Sequence, residues 1–328
     1  MPLSSPNEVS SREMNQLKSE HPHLTCHLWT ALITPFNADG QIDFVSLRHI
    51  AAKQEKSGNG ILLLGSTGEG LALSAQEQLS IVEAVCQLKL KVPLMVAVGG
   101  HQLSEQIRWI EQCNKFEISA FLLGAPLYAK PGSEGQKYWF DTLLSASKYP
   151  CMLYNVPSRS GISLSVQTLS ELQSHPNFWA LKEASGDINQ FLQYRRACPE
   201  IELFSGEDNL MPYLAMAGAK GLVSVCANVW PEPTNEYVLL CLAGQSEMLF
   251  PIWHDATLAL FCVANPIPAK ALMVLNQDIQ HAGLRPPLVV EELAHADDLY
   301  RVNESIFNWF KSYRPEQTSP AFIKQASA

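Results

Sequence analysis

Eight short apolar segments recur along the chain, and most are followed by a segment with helical periodicity. Each is bounded by Gly or Pro and has the length of a strand that is buried on both faces. Strict alternation of strands and helices predicts a parallel sheet, and eight repeats are the number that closes a (β/α)8 barrel. The segments are LWTALITPF (28–36), GILLLGSTGEG (60–70), VPLMVAVGG (92–100), AFLLGAPLY (120–128), PCMLYNVPSR (150–159), FWALKEASG (178–186), IELFSGED (201–208) and GLVSVCAN (221–228).

An open, doubly wound sheet is the main competitor, because it also alternates strands with helices. Such sheets usually carry a Gly-x-Gly-x-x-Gly turn after the first strand, and none follows residues 28–36. Eight units within about 200 residues also suit closure better. Between the strands, DFVSLRHIAAKQEKSG (43–58) has the spacing of an amphipathic helix, and Ser74 with Glu77 has the pattern of a capping box. The sequence therefore predicts an α/β fold, a (β/α)8 TIM barrel.

The chain divides into three predicted parts. We expect the barrel to occupy residues 26–245, preceded by a mobile arm over residues 1–25. Two runs rich in Asn and Pro, ANVWPEP (227–233) and ANPIPAK (264–270), then punctuate a region of helical patterns. We expect residues 246–328 to form a small C-terminal helical appendage and a tail.

Charge and composition argue against several classes of function. The formal net charge is −9, whereas nucleic acids and anionic membranes select basic surfaces. No apolar run reaches the roughly 18 residues of a membrane span, and the first residues lack the apolar centre of a signal peptide. The eight cysteines stand singly without a CxxC pair, which is typical of free thiols rather than of disulfides or structural zinc. We therefore expect a cytoplasmic protein that binds no nucleic acid, membrane or metal.

Lys182 is the unusual residue of the sixth segment, because it follows Trp179, Ala180 and Leu181 in a predicted buried strand. Burying an ammonium is costly, so burial favours the neutral amine. A neutral amine can form a Schiff base with a keto acid, which can then lose an α-proton and become a carbon nucleophile. A lysine that snorkels from a strand end is the structural alternative. Its position within a barrel strand favours catalysis.

Further candidate residues follow the carboxyl ends of the predicted strands, where barrel enzymes hold their catalytic groups. Tyr154 can transfer protons, although a core tyrosine with a bonded hydroxyl is an equally good interpretation. Ser66 and Thr67 can hold a carboxylate, and Arg159 offers a fork for a second carboxylate unless it forms a surface salt bridge. Taken together with Lys182, the set indicates a class I aldolase. Its members are Ser66, Thr67, Tyr128, Tyr154 and Arg159.

Seven motifs resemble those of the dihydrodipicolinate synthase and N-acetylneuraminate lyase superfamily. They occur in the order and with the spacing expected, from about Trp29 to about Leu275. The resemblance implies a (β/α)8 barrel and a Schiff-base lysine, as argued above from the residues alone. The motifs are GSTGE, APLYAKP, LYNVPSRSG, LKEASGD, LFSGED, GLVSVCAN and NPIPAK.

The resemblance implies a catalytic group of four residues. Lys182 would bind pyruvate as an imine, without any other cofactor, and Tyr154 would transfer protons. Ser66 and Tyr128 would complete a proton relay, with Tyr128 reaching across a dimer interface into the neighbouring site. A homo-oligomer is therefore expected, and the family implies a dimer of dimers.

The substrate-binding residues also follow from the resemblance. Thr67 would hold the pyruvate carboxylate, and Arg159 would receive the carboxylate of aspartate semialdehyde. The backbone carbonyl of Val223 would face the site. We also expect Gly206 to be a substrate-binding residue.

The arginine of YNVPSRSG and the motif NPIPAK favour the synthase branch of the superfamily. The implied reaction condenses pyruvate with L-aspartate 4-semialdehyde to 4-hydroxy-tetrahydrodipicolinate, for lysine and diaminopimelate biosynthesis. Ser66 departs from the threonine that is more usual there. Another pyruvate-dependent aldolase, acting on a 2-keto-3-deoxy acid, a 4-hydroxy-2-oxo acid or sialic acid, is therefore an alternative. A binding protein that keeps the barrel without turnover is a third.

Departures from the family pattern concern regulation by lysine. Synthases that lysine inhibits commonly have Asn where His101 stands, Tyr where Leu127 stands and His where Ala75 stands. Glu105 is retained, but one carboxylate alone would be a poor lysine site. We therefore expect weak or absent inhibition by lysine.

Overall fold

The computed structural model describes residues 25–294 and 297–313. Within these ranges, eight strands form one closed barrel, in which each strand pairs in parallel with the next and β8 pairs with β1. The predicted barrel is confirmed, and every strand lies inside one of the eight apolar segments. The strands are β1 (Leu28–Ala31), β2 (Gly60–Leu63), β3 (Leu94–Val98), β4 (Ala120–Gly124), β5 (Cys151–Asn155), β6 (Phe178–Glu183), β7 (Glu202–Ser205) and β8 (Gly221–Ser224).

Helices connect the strands and continue after the barrel, as the sequence predicts. Short 3-10 helices cover Gly70–Ala72, Asp208–Leu210, Glu247–Leu249 and Val290–Glu292. The α-helices of the described ranges are α1 (Phe44–Lys56), α2 (Ala75–Cys86), α3 (Leu103–Cys113), α4 (Ser133–Ala146), α5 (Pro157–Ser160), α6 (Val166–Leu172), α7 (Ile188–Ala197), α8 (Met211–Met216), α9 (Cys226–Val229), α10 (Pro231–Leu242), α11 (Ile252–Leu260), α12 (Ile267–Leu275) and α13 (Asp297–Tyr313).

Local capping explains where the first two helices begin. The Asp43 carboxylate accepts hydrogen bonds from the backbone N–H groups of Val45 and Ser46 and so caps α1. At the start of α2, Ser74 and Glu77 form the predicted capping box, each side chain bonded to the other residue's backbone N–H. These bonds satisfy N–H groups that have no partner inside their own helix.

Two apolar clusters make up the core, and the alternation of side chains along the strands separates them. One cluster lies between the strands and the surrounding helices. The other fills the interior of the barrel and includes Trp29, Met152 and Ala180. Because residues two apart share a face, Tyr154 and Lys182 continue the inward rows of Met152 and Ala180 toward the carboxyl ends of the strands. The barrel interior is therefore filled by apolar side chains toward the amino ends of the strands and carries polar side chains at their carboxyl ends.

Some sequence predictions concern residues outside this description. The expected N-terminal arm lies outside the described residues except for Thr25, and so does the expected tail after residue 313. None of the helices in the described ranges has the length and apolarity needed to cross a membrane. In the same ranges there is no group of three or more His, Cys, Asp or Glu side chains that could hold a metal ion. All eight cysteines are free thiols.

Candidate active site

Lys182 and Tyr154 lie side by side on neighbouring strands. They are register partners of β6 and β5, and the Lys182 Nζ lies 4.3 Å from the centroid of the Tyr154 ring. The lysine is only 5% exposed. Within the described part of the chain, its Nζ makes no hydrogen bond or ion pair, so the amine is not committed to a protein acceptor. A buried amine without such a partner, beside a phenol, is suited to nucleophilic attack on a carbonyl.

A cavity of about 420 Å³ opens at the carboxyl ends of β2 to β5. Among the predicted site residues, Ser66, Tyr154 and Arg159 line it. Asn265 and Arg285, from the chain after the barrel strands, complete the wall. The other predicted residues, Thr67, Tyr128, Lys182, Gly206 and Val223, are not part of this lining.

Ser66 and Thr67 lie in a tight loop after β2, and this loop is conformationally demanding. Leu64 and Glu69, on either side of the two hydroxyl residues, have φ of 62° and 53°, in the left-handed region that most residues avoid. Gly70 is required because a Cβ there would lie 2.0 Å from the Leu64 carbonyl oxygen. The loop thus keeps its shape only because surrounding groups hold it.

Thr67 is buried, and its hydroxyl has a defined hydrogen-bond role. Asn265 Nδ2 donates to Thr67 Oγ1 over 2.9 Å. Because the threonine oxygen accepts this bond, its own O–H remains available to donate to another acceptor. A carboxylate is a strong acceptor for such a donor.

Gly206 lies against Lys182 rather than along the cavity wall. Its backbone N–H donates to the Glu183 carbonyl over 2.6 Å. A Cβ at this position would stand 2.9 Å from Lys182 Cε and 2.6 Å from the Ala184 Cβ. The absence of a side chain here leaves room for the Lys182 side chain.

Arg159 lies on the short helix α5, which begins at Pro157 directly after β5. Its side chain is exposed and lines the cavity, and within the described residues it forms no ion pair. The surface salt bridge considered as an alternative interpretation is therefore not formed in the described part of the chain. A free guanidinium at the cavity wall is suited to binding a carboxylate.

Tyr128 and Val223 are separated from the cavity in the single chain. Tyr128 has φ of 70° in the loop after β4, and its side chain is 94% exposed. Val223 is buried in β8 and belongs to the apolar cluster inside the barrel. Their predicted roles depend on a partner subunit and on a backbone carbonyl, respectively.

Glu207 adds a titratable group near the lysine that the sequence analysis did not single out. Burial, and to a smaller degree the Asp208 carboxylate, raises the pKa of Glu207 to about 7, and the Lys182 ammonium acts in the opposite direction. Asp208 is fully buried, and Val225 donates its backbone N–H to the Asp208 carboxylate over 3.0 Å. The two acids of the LFSGED motif therefore differ: Glu207 can titrate near neutrality, whereas Asp208 is a structural carboxylate.

A second group of residues was missed by sequence reasoning, although its members lie in quoted motifs. Glu69 ends GSTGE, and Asn265 and Lys270 begin and end NPIPAK. Lys270 Nζ donates to Glu69 Oε1 over 2.5 Å in a completely buried ion pair. Burial lowers the pKa of Lys270 to about 8, although the Glu69 carboxylate opposes the change. The sequence showed only that GSTGE and NPIPAK each contain a charged residue. It gave no indication that these two distant residues pair with each other.

The four residues considered for lysine regulation line a second cleft, of about 560 Å³, which adjoins the cavity and shares Leu127 with it. Ala75, His101, Glu105 and Leu127 all line it. Glu105 is exposed and lies 3.8 Å from Arg108, measured from Oε1 to the guanidinium NH2 atom. The retained carboxylate thus already has a cation close to it.

Comparisons with known proteins agree with this geometry. The model of the dihydrodipicolinate synthetase family matches residues 25–304. A relative from Francisella philomiragia named 4-hydroxy-tetrahydrodipicolinate synthase is 49% identical over 284 residues, which are 86% of this chain and 96% of the relative. The chloride-inhibited dihydrodipicolinate synthase of Acinetobacter baumannii, solved with pyruvate, aligns with a TM-score of 0.81 and 27% identity over 86% of this chain and 99% of that one. The enzyme of Cyanidioschyzon merolae, solved with lysine bound, also has a TM-score of 0.81, with 30% identity over 86% and 98% of the two chains.

Proposed function

The chain belongs to the dihydrodipicolinate synthetase family, and we propose that it condenses pyruvate with L-aspartate 4-semialdehyde to 4-hydroxy-tetrahydrodipicolinate. The observation that carries the proposal is the contact between Lys182 and Tyr154 beside a cavity that Arg159 lines. The synthase names of the relatives support the choice of aldehyde. The product belongs to lysine and diaminopimelate biosynthesis.

Lys182 supplies the nucleophile of the first step. Its neutral amine attacks C2 of pyruvate, and loss of water leaves a protonated imine. The imine withdraws electrons from C3, which loses a proton and becomes an enamine. The enamine C3 then forms a bond to the aldehyde carbon of the semialdehyde, whose oxygen takes up a proton. Attack of the semialdehyde amino group on C2 closes the ring and releases Lys182. Because the imine accepts the electrons, this chemistry needs no metal or organic cofactor.

Tyr154, Ser66 and Tyr128 form the proposed proton relay. Tyr154 contacts Lys182 and lines the cavity together with Ser66, which supports a role of both hydroxyls in proton transfer. Tyr128 is almost fully exposed in the single chain, which leaves it available to a neighbouring subunit. The relay therefore implies at least a dimer, and we extend this to a dimer of dimers. Tyr128→Phe should lower turnover by about 10-fold or more while the oligomer keeps its mass. Full activity of that oligomer would contradict the shared relay.

In this proposal, one hydroxyl group and one guanidinium group hold the carboxylates of the two substrates. The free O–H of Thr67 donates to pyruvate, and the unpaired Arg159 receives the semialdehyde. Gly206 keeps space for the Lys182 adduct, and the Val223 carbonyl faces the site. The hydroxyl of Ser66 replaces a threonine without removing a step from the relay.

The division of the chain and its location are also proposals. The barrel over residues 26–245 would be joined functionally to residues 246–328, because Asn265 and Arg285 line the cavity. Removal of the C-terminal part should therefore abolish activity rather than leave an active barrel. A cytoplasmic location fits eight free thiols in a chain of this length. Cell fractionation would test it.

Turnover of the two substrates by the purified protein tests the function. The product can be passed to a nicotinamide-dependent reductase and followed by absorbance. Arg159→Ala should raise KM for the semialdehyde by about 10-fold to 100-fold, while formation of the pyruvate imine stays unchanged. Arg301→Ala is a matched control, because Arg301 is a 59% exposed arginine on α13. Turnover that is absent, with pyruvate still trapped on Lys182 by borohydride, would instead favour another pyruvate-dependent aldolase.

A further inference from the structure

The loop that carries Ser66 and Thr67 cannot hold its own shape. Leu64 and Glu69 both have left-handed φ, and such residues persist only where neighbouring groups over-determine them. Inside the loop, the Glu69 N–H donates to the Ser66 carbonyl over 3.1 Å. From outside, Thr34 Oγ1 donates to the Gly68 carbonyl over 2.7 Å. The strongest external contact is made by charged groups.

A buried ion pair fixes the end of this loop to the C-terminal part of the chain. The side chains of Lys270 and Glu69 are 0% and 3% exposed. Lys270 Nζ donates to Glu69 Oε1 over 2.5 Å and to the Gly283 carbonyl over 2.7 Å, and it lies 4.4 Å from the centroid of the Phe36 ring. The second carboxylate oxygen of Glu69 accepts the backbone N–H of Arg285 over 2.7 Å. Every polar atom of the pair is therefore engaged.

The same C-terminal segment also contacts the hydroxyl of Thr67 directly. Asn265, five residues before Lys270, donates its Nδ2 to Thr67 Oγ1 over 2.9 Å. Among the described residues, Asn265 Oδ1 is buried without a hydrogen-bond partner, on a side chain that lines the cavity. The segment thus holds the loop at both Thr67 and Glu69.

A buried ion pair is a poor device for stability alone. Taking two charges out of water is costly, and an apolar or neutral pair of similar size is often equally stable. Lys270 is also unsuited to be a second imine-forming lysine, because its amine is bonded to Glu69 and Gly283 and is not part of the cavity lining. The buried charges of Lys270 and Glu69 are therefore explained better by a need to fix the geometry of the attached loop than by stability alone or by a second imine-forming lysine.

We propose that Lys270 and Glu69 are positioning residues, whose buried ion pair, with Asn265, holds the hydroxyls of Ser66 and Thr67 in place for the pyruvate imine on Lys182. The inference rests on the proposed function, since it concerns the same imine. It assigns a role to the NPIPAK motif and to the glutamate of GSTGE.

Four variants and one control separate positioning from stability. Lys270→Met and Glu69→Gln each leave a buried charge or donor without its partner, whereas Glu69→Gln/Lys270→Met removes both charges. Asn265→Ala removes the bond to Thr67 without exposing any buried charge. Lys53→Met is the control, because the ion pair of Lys53 with Asp278 also joins the barrel to the chain after α12, and neither residue lines the cavity.

The measurements are the melting temperature, the rate at which borohydride traps pyruvate on Lys182, and the KM of each substrate. The single charge variants should melt at lower temperature, and the double variant should recover most of that loss. The double variant and Asn265→Ala should nevertheless trap pyruvate about 10-fold more slowly or worse, with a raised KM for pyruvate and a KM for the semialdehyde within about threefold of the original. Lys53→Met should trap pyruvate at the original rate.

Trapping at the original rate by the double variant, or by Asn265→Ala if the double variant does not fold, would overturn the inference. Failure of the unmodified protein to trap pyruvate would overturn the proposed function and this inference with it. Normal trapping without condensation would refute only the choice of aldehyde, and slow trapping in the variants would still support the positioning role.

Discussion

Substitution of Gly206 by alanine tests how closely the Lys182 side chain is confined. The added Cβ would stand 2.9 Å from Lys182 Cε, 2.6 Å from the Ala184 Cβ and 3.0 Å from the Glu183 carbonyl oxygen. Carbon atoms pack at about 3.5 Å or more, so the lysine would have to move by at least about 0.6 Å. Glu183 belongs to β6, and Ala184 follows it with its N–H bonded to the Asn155 carbonyl, so neither residue has much freedom to move.

Two effects of different size are expected from this change. Overpacking of this kind costs about 1–3 kcal/mol of stability, which lowers the melting temperature without preventing folding. Displacement of a nucleophile by about 1 Å can cost about 100-fold in rate. We therefore expect Gly206→Ala to reduce both kcat and the rate of pyruvate trapping by about 10-fold to 100-fold, with a far smaller effect on folding.

The assay compares the variant with Gly132→Ala. Gly132 is exposed, and a Cβ there would meet nothing within 4 Å, so this control should keep its activity. Because Gly132 is the N-cap of α4, the stability of the control should fall by about 1 kcal/mol or less. Rates are measured well below the melting temperature of either protein, with trapping followed by mass spectrometry. Original rates of trapping and turnover in Gly206→Ala would refute the claim that this glycine makes room for the Lys182 side chain.

Three further predictions concern proton transfer, pH and regulation. Tyr154→Phe should keep the fold and lower kcat by about 100-fold, and an unchanged kcat would remove Tyr154 from the relay. The pKa of Glu207 is raised from the usual 4.5 to about 7, so the folded state binds more protons than the unfolded state between these values and stability falls as the pH rises across that window. Glu207→Gln should remove this loss of stability, which is on the order of 2 kcal/mol after allowance for solvent screening. The free energy of unfolding in urea, measured at pH 4.5 and pH 8, tests this. An unchanged difference between the two pH values in the variant would contradict the prediction. Because Glu105 shares its cleft with the apolar Ala75 and Leu127 and already has Arg108 close to it, lysine at about 1 mM should slow turnover by less than about tenfold, and strong inhibition would show that the cleft binds lysine by other contacts.

The strands and the central pair of the site could be predicted because their signals are local. Each strand coincides with a short apolar run, and parallel order makes β5 and β6 neighbours. That order brings Tyr154 to Lys182 once both are assigned to the inner face of their strands. Strand order and the alternation of side chains together account for this contact.

The contacts of the C-terminal segment could not be predicted in the same way. Lys270 and Asn265 are about 200 residues from Glu69 and Thr67 along the chain, and no periodic pattern links positions so distant. NPIPAK identified the segment by resemblance but did not indicate what its lysine touches. The roles of Tyr128 and Val223 remain predictions, because one needs a partner subunit and the other needs a bound substrate.

Peptide mapping of the protein after incubation with pyruvate and borohydride tests the central claim most directly. Among the described residues, two lysines at this end of the barrel are deeply buried, Lys182 and Lys270, and of these two only Lys182 has an amine without a hydrogen-bonded acceptor. The account predicts one reduced pyruvate adduct per chain, on the peptide that contains Lys182, and none in Lys182→Ala. An adduct on Lys270, or no adduct at all in the unmodified protein, would contradict it.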